Sequence, residues 1–258
     1  MNDAAFQAQG KKNGQEYSDA DYPPGGKGSF DITPDYGAFS AGAVKGSTYR
    51  LPLYANFKLS DRVGLSLNIP VQYTQFRTPV GKLNVWNVDP TVGVPIKVFK
   101  KTKELPLAWT VTPHAGAGVY FADDAGNSHT YIGHGGVTSM LGYENSHFTL
   151  SMANQITFFE TISRSGSYSL TKAIHQEVLQ NGLKLSAPFG RRWVGDIYAI
   201  DTEFLETAYL HRYVTIGASV GYHMARMKKG SYIKVGTYTE LGSGYRSIHF
   251  QFGTAWKF

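Results

Sequence analysis

The side chains best suited to acid–base chemistry in this sequence are eight scattered histidines: His114, His129, His134, His147, His175, His211, His223 and His249. On a β-strand, a serine and a histidine two residues apart lie on the same face, and Ser247 with His249 is the clearest such pair. No neighbouring residue supplies the third group that would orient the histidine as a base. We therefore interpret His249 as a hydrogen-bonding residue and expect no catalytic residue.

Metal and cofactor chemistry are also disfavoured. The chain has no cysteine, and the spacing of His129, His134 and His147 matches no ligand motif. The glycine-rich stretches "HAGAGVY" and "IGHGGV" alternate as strands do and do not resemble phosphate-binding loops. The sequence predicts no metal and no cofactor.

The composition points away from a typical soluble domain. Charged residues are only 17% of the 258, below the roughly 25% of soluble domains, while aromatic residues reach 14%. The net charge of +6 comes from scattered residues without a basic run, so no nucleic-acid partner is expected. No run of 18 apolar residues indicates a transmembrane helix.

From about residue 29 onward, apolar and polar residues alternate along one segment after another. In "YRLPLYANFKL", Tyr49, Leu51 and Leu53 alternate with Arg50, Pro52 and Tyr54. The alternation persists for roughly 10–15 residues, longer than the 5–6 of a typical soluble strand and sufficient for a tilted membrane strand. The polar faces carry mostly Gly, Ser, Thr, Asn, Gln and Tyr, which suits a lumen better than the solvated face of a soluble sandwich.

The predicted fold is therefore all-β: a transmembrane antiparallel up-and-down β-barrel of about twelve strands, with a range of 10–14. It comprises residues 29–258, and residues 1–28 form a polar tail or plug. An even strand number places both termini on the periplasmic side. The stretch 190–212 alternates poorly and leaves the strand count there uncertain.

The fourth strand is expected at 88–100, after a long loop at 77–87, with short turns on one side of the barrel and long loops on the other. Inward Pro52, Pro70 and Pro95 should mark bulges or positions where a ladder hydrogen bond is not needed.

Alternation also predicts which side chains line the pore. These are Arg50, Lys58, Lys97, His114, Tyr120, Lys184, His223, His249 and Lys257. Inward carboxylates are expected to be scarce on the clear strands, with Glu177 near a strand start and Asp196 in the poorly alternating stretch. A basic lumen favours anions. In the alternative interpretation these cations pair with loop acids such as Asp123, Asp124 and Glu160.

The end of the chain, "FQFGTAWKF", resembles the assembly signal of outer-membrane barrels, with Phe250, Phe252, Trp256 and Phe258 at the matching positions. The resemblance implies three partners: the barrel-assembly machinery, outer-membrane lipid and lipopolysaccharide. The segments "YPPGGKGSF", "NVDPTVGVPIKV" and "HQEVLQNGLKLSAPFGRRW" resemble the meta-pathway phenol-degradation family of outer-membrane channels. That family is associated with uptake of hydrophobic or aromatic compounds.

These observations predict a channel of the bacterial outer membrane for passive diffusion of small solutes, with a preference for anions and with residues 1–28 as a plug. The sequence lacks a signal peptide, as a mature form would. Two alternatives remain open: a secretion translocator that exports a polypeptide, and a lipid-acting barrel enzyme.

Overall fold

The computed structural model describes residues 28–79, 81–102, 105–122, 128–165, 174–190, 192–206, 210–223 and 232–257. All regular structure in this part of the chain is β-strand. No helix among these residues is long and apolar enough to cross a membrane. The predicted tail or plug, residues 1–28, lies outside the described residues except for Gly28.

The strands form one antiparallel sheet that closes on itself, because the first two strands pair with the last. In chain order they are β1 (Gly28–Ile32), β2 (Asp35–Ala41), β3 (Val44–Lys58), β4 (Gly64–Thr78), β5 (Gly81–Val88), β6 (Thr91–Gly93), β7 (Ile96–Phe99), β8 (Leu107–Ala122), β9 (Ser128–Glu144), β10 (Thr149–Ser165), β11 (His175–Phe189), β12 (Trp193–Phe204), β13 (Arg212–His223), β14 (Tyr232–Gly242) and β15 (Tyr245–Lys257).

These segments make twelve wall strands. β1 and β2 are halves of one wall strand, because each pairs with β3 on one side and with β15 on the other. β5, β6 and β7 likewise form one wall strand between β4 and β8. The predicted closed barrel of about twelve strands is confirmed. The first and last wall strands start and end at one rim, which we call the terminal rim, and the opposite one is the far rim.

The expected long loop at 77–87 is wrong. β4 continues to Thr78 and β5 begins at Gly81, so the two strands form a tight hairpin. The strand is hard to recognise in the sequence because its faces are not cleanly polar and apolar. Apolar Leu83 and Val85 lie on the inner face, and polar Asn84 lies with Trp86 on the outer face. The hairpin is held across the strands, since Tyr73 donates a hydrogen bond of 3.1 Å to Asn84.

The expected separation of short turns and long loops is also not observed. Three connections of only two residues, at 42–43, 79–80 and 243–244, lie at the far rim, where long loops were expected. Two of them use glycine in the left-handed region, Gly42 (φ 59°) and Gly244 (φ 69°), which a tight hairpin requires. The seven-residue connection 100–106 lies at the terminal rim.

Two facing prolines explain where the wall strands break. Pro52 in β3 lies directly opposite Pro70 in β4. The Pro52 carbonyl accepts a bond from the Thr33 N–H at 3.4 Å, and the Pro70 carbonyl accepts one from Asp89 at 3.2 Å. The N–H and C=O of a strand residue point to the same neighbouring strand. The N–H groups that the two prolines lack would therefore have pointed toward the β1–β2 and β5–β6 breaks, where no acceptor needs them. The proline prediction is confirmed, and Pro95 lies in the β6–β7 break.

The two faces of the wall differ in polarity. Large apolar side chains are exposed on the outer face, among them Tyr49, Leu51, Ile69, Phe158, Leu183, Ile197, Ile216, Val235, Ile248 and Phe250. The alternate positions carry buried polar side chains on the inner face, among them Thr48, Asn56, Asn68, Gln180, Thr202 and Thr215. This is the arrangement of a barrel whose outer face contacts lipid.

Outward aromatic residues border the apolar zone near both rims. On β8 the two bordering aromatics are Trp109 and Phe121, and on the neighbouring β9 they are Tyr143 and Tyr131. On each of the two strands the bordering aromatics are twelve positions apart. At about 3.3 Å per residue and a tilt of about 40°, twelve residues span about 30 Å, close to the height of an outer-membrane apolar band.

Gly136 and Gly135, neighbours on opposite faces of β9, provide a matched test of wall packing. A Cβ on Gly136 would overlap the backbone carbonyl oxygen of Ile156, whereas a Cβ on Gly135 would lie 3.6 Å from its nearest atom. We expect Gly136→Ala to lower the free energy of unfolding by about 2 kcal/mol, because the backbone of β10 must shift. Gly135→Ala should change it by less than about 0.5 kcal/mol. Urea unfolding in lipid vesicles measures both, and equal stabilities would contradict the close β9–β10 approach.

Candidate functional site

The inner face of the barrel carries a buried ion cluster on β11, β12 and β14, which we call the Asp196 cluster. The Lys234 Nζ lies 2.5 Å from the Asp196 Oδ2, and the Lys184 Nζ lies 3.8 Å from the same oxygen. The Ser219 hydroxyl donates a further bond of 3.2 Å to that carboxylate. Lys184 is only 1% exposed and Asp196 4%. Both buried ammonium groups therefore face the same carboxylate.

A second cluster, the His249 cluster, joins the first and last wall strands. The His249 Nδ1 lies 3.0 Å from the Asp35 Oδ1 of β2, and its Nε2 lies 3.5 Å from the Glu240 Oε2 of β14. The imidazole stacks flat on the Tyr238 ring, with centroids 4.3 Å apart and planes 5° apart. A Cβ at Gly37 would overlap the imidazole, so glycine at this position lets His249 lie against β2.

The Ser247–His249 pair does not have the geometry of a nucleophile and its base. The Ser247 hydroxyl donates to the Glu240 carboxylate at 2.7 Å, not to the imidazole. Both imidazole nitrogens face carboxylates, and both residues are buried, at 5% and 1% exposed. A base must lie within hydrogen-bond reach of the hydroxyl that it activates. The contacts of this arrangement link β2, β14 and β15.

A third polar group lies where Asp89, at the β5–β6 break, reaches across to β9. The His134 Nε2 lies 2.9 Å from the Asp89 Oδ1, and the imidazole packs on the Phe159 ring at 5.4 Å. The His114 Nε2 lies 3.3 Å from the Thr157 Oγ1. A side chain at Gly116 would collide with the His134 ring. Among the described residues, no group of three or more His, Asp or Glu side chains could hold a metal ion.

The predicted pore-lining residues fall into four groups. Arg50, Lys97, His114, Tyr120, Lys184 and His249 are buried or half-buried on the inner face. Lys58 lies at the terminal rim, where it is 39% exposed and pairs with Asp61 at 2.7 Å, and this lysine lowers the pKa of the Asp61 carboxyl. His223 ends β13 and packs edge-on against the Tyr232 ring. The side chain of Lys257 lies outside the described residues.

The expectation that inward carboxylates are scarce is wrong. In the part of the chain that the structure describes, six acidic residues are buried or half-buried on the inner face: Asp31, Asp35, Asp89, Glu144, Asp196 and Glu240. Asp196 was noted from the sequence, whereas Asp35 and Asp89 were missed because they flank strand breaks. Lys234 and Glu240 could have been predicted to point inward, because alternation along β14 places them on the same face as Tyr232 and Tyr238. Of the predicted partners, Glu160 is exposed and pairs with His175 instead, and Asp123 and Asp124 lie outside the described residues.

Two of the four predicted assembly-signal residues have described side chains. Phe250 and Phe252 lie on the outer face of β15, at 59% and 46% exposed. Trp256 pairs with Phe30 of β1 in the backbone ladder, and its side chain lies outside the described residues. Phe258 lies outside the described residues altogether.

A groove of about 740 Å³ opens on the outer face beside the β1–β2 break. Its outer walls include Tyr36, Tyr49, Tyr73 and Trp86, whose rings follow one another at centroid distances of 4.8, 6.1 and 4.6 Å. Its lining also includes three inner-face residues, Asp35, Arg50 and Gln251. Residues of both faces of the wall therefore line the groove at this break.

Comparison with solved structures places this architecture in a class. The β domain of the Bordetella autotransporter BrkA is 12% identical, with a TM-score of 0.69 over 90% of this chain and 100% of that one. The translocator domain of the autotransporter NalP from Neisseria meningitidis is 10% identical, with a TM-score of 0.65 over 90% and 89%. An outer membrane channel from Pseudomonas putida F1 is 10% identical, with a TM-score of 0.60 over 92% and 97%.

These likenesses establish that the chain has the fold of the bacterial outer-membrane β-barrels. No protein-family model matches the sequence, and no curated protein matches it. At such identities the likeness extends to the fold alone, and the function has to be argued from the residues of the inner wall.

The Asp196 cluster yields a stability prediction with a matched control. Asp196→Ala removes the carboxylate that Lys184 and Lys234 both face, and breaking a buried ion pair in this way costs about 3 kcal/mol. We expect a correspondingly lower urea midpoint in lipid vesicles. Asp61→Ala removes an aspartate–lysine contact of 2.7 Å at an exposed turn, and its midpoint should stay unchanged because water screens that pair. A similar loss in both variants would mean that the cluster is not shielded from water.

Proposed function

We propose that this chain is an outer-membrane channel for the passive diffusion of small solutes. The observation that carries the proposal is the polar inner face of a closed twelve-strand barrel whose outer face is apolar. A barrel of eight strands is filled by its own side chains, whereas larger ones leave space for water. No chemical step is part of this proposal, and neither Ser247 nor His249 is assigned a catalytic role.

The inner-face charges support only weak charge selectivity. Lys184 and Lys234 share Asp196, Lys101 pairs with Glu144 at 3.1 Å, and His249 faces two carboxylates. A ring of fixed charge selects ions only when its charge is not compensated nearby. The anion preference expected from the basic residues is therefore retained only as a slight one.

The plug and the location also belong to the proposal. Residues 1–27 precede Gly28 at the terminal rim, and 27 residues extended at about 3.3 Å each reach about 90 Å, far more than the barrel height. A polar segment attached there is long enough to enter the lumen. The outer membrane is the proposed location, in a mature form without signal peptide, and the apolar band of about 30 Å supports it.

A secretion translocator is the second candidate function. Its support is the likeness to two autotransporter barrel domains, with TM-scores of 0.69 and 0.65. A translocator requires the segment preceding the barrel for its cargo, whereas a plugged channel conducts better without that segment. Deletion of residues 2–27 therefore tests the plug, because only a plugged channel is expected to conduct better without that segment.

The decisive measurement is conductance across planar bilayers, with the full chain and with the deletion of residues 2–27. We expect stepwise conductance, a reversal potential close to zero in a KCl gradient, and a larger conductance after the deletion. Absence of conductance from both proteins would contradict the channel. An unchanged conductance after the deletion would contradict only the plug.

Two variants that each lack one carboxylate test whether ion pairing on the inner face sets the charge selectivity. Glu144→Gln removes a buried inner-face charge beside Lys101 and should shift the reversal potential toward anion selectivity. The control is Asp61→Asn, which removes a carboxylate that pairs with Lys58 at the terminal rim. Because Asp61 lies in an exposed turn, this variant should leave the reversal potential unchanged. Equal shifts would indicate that inner-face pairing does not govern selectivity.

A further inference from the structure

The outer face of β8–β13 carries a continuous line of polar side chains, which we call the polar stripe. It crosses the apolar band diagonally and consists of Trp109, Ser139, Asn154, Asn181, Asp201 and Arg212. Its four central residues are direct cross-strand partners on four consecutive strands. The Trp109 indole donates to Ser139 at 2.9 Å near the terminal rim, and Arg212 forms two bonds of 2.7 and 2.9 Å with Asp201 toward the far rim.

The centre of the polar stripe is an exposed amide pair. The Asn154 Nδ2 donates a bond of 2.6 Å to the Asn181 Oδ1. The Asn154 carbonyl and the Asn181 amino group have no partner among the described residues. Around the pair the outer face is apolar, with Met152 46% exposed and Leu183 52% exposed. Lipid acyl chains offer no donor or acceptor, so these two groups remain unsatisfied wherever lipid covers them.

We propose that the outer face of β9–β12 is an interface with a second copy of this chain, with the Asn154–Asn181 pair at its centre. An amide pair that presents both a carbonyl and an amino group is complementary to itself when rotated by 180°. Polar side chains of this kind stabilise contacts between protein segments within membranes, because the alternative is exposure to hydrocarbon. The proposal is independent of what the channel carries.

The charges of the polar stripe favour a second copy over a partner of opposite charge. Arg212 and Asp201 neutralise each other through two bonds. The rest of the stripe consists of neutral hydroxyl, amide and indole groups. The stripe itself therefore has no net charge, and the exposed Glu203, the cross-strand partner of Arg212, adds a negative charge beside its far-rim end. At the centre of the stripe the neutral donors and acceptors match those of an identical stripe.

Because the chain has no cysteine, single introduced thiols report on this contact without background. Met152→Cys places a thiol on the outer face beside the amide pair and leaves the polar stripe intact. Ile248→Cys, on β15 in another part of the wall, is the matched control, since Ile248 is similarly exposed, at 51% against 46%. The full chain is expressed in outer membranes and treated with a short thiol–thiol cross-linker. We expect a product of twice the monomer mass from Met152→Cys and none from Ile248→Cys.

A triple variant, Met152→Cys with Asn154→Leu and Asn181→Leu, tests whether the amides hold the contact. We expect at least about tenfold less dimer, because the interfacial hydrogen bonds are lost. Unchanged mobility of the unheated protein on gels shows that the barrel still folds. Equal cross-linking of the two single-cysteine variants, a product of another mass, or undiminished dimer in the folded triple variant would overturn the proposal.

Discussion

Every part of this structure depends on one requirement: backbone donors and acceptors within lipid must find partners in the protein itself. The requirement is met because β1 and β2 pair with β15, so that the sheet has no free edge among its described strands. It also explains the breaks in the wall. At Pro52 and Pro70 a donor is missing, and the neighbouring wall strand is interrupted at each of these places.

The closure of the barrel also determines its interior. Alternation places every second residue of twelve strands inside, and several of the charged groups among them, such as Lys184, Asp196 and Glu240, are buried. Such groups persist only when they are paired. The Asp196 and His249 clusters satisfy this condition, and they do so across strands that are far apart in sequence: Asp35 and His249 belong to the first and last wall strands. The polar lumen and the closed wall therefore stabilise each other.

The strand pattern and the closure could be predicted from sequence because alternation is a local property with a clear period. The direction of Phe250 and His249 along β15 follows from it directly. Ion pairing could not be predicted in this way, because partners such as Asp196 and Lys234 are 38 residues apart and meet only once the register of three strands is fixed. Asp89 and the β5 strand were missed for a related reason. Prolines and inward apolar residues interrupt the pattern there, so the local signal is weakest where the wall is irregular.

The two interruptions beside Pro52 and Pro70 lie on either side of a single hairpin, β3 and β4. Within the hairpin the strands pair continuously from Lys45 with Arg77 to Lys58 with Gly64. Backbone pairing is therefore uneven around the wall. It is continuous between β3 and β4 and interrupted on both outer sides of this hairpin. Local opening of a protein is easiest where the fewest backbone bonds must break, so we expect the thermal fluctuations of this barrel to concentrate along the two outer sides of this hairpin. Amide protons along these two sides should exchange with water before those between β3 and β4.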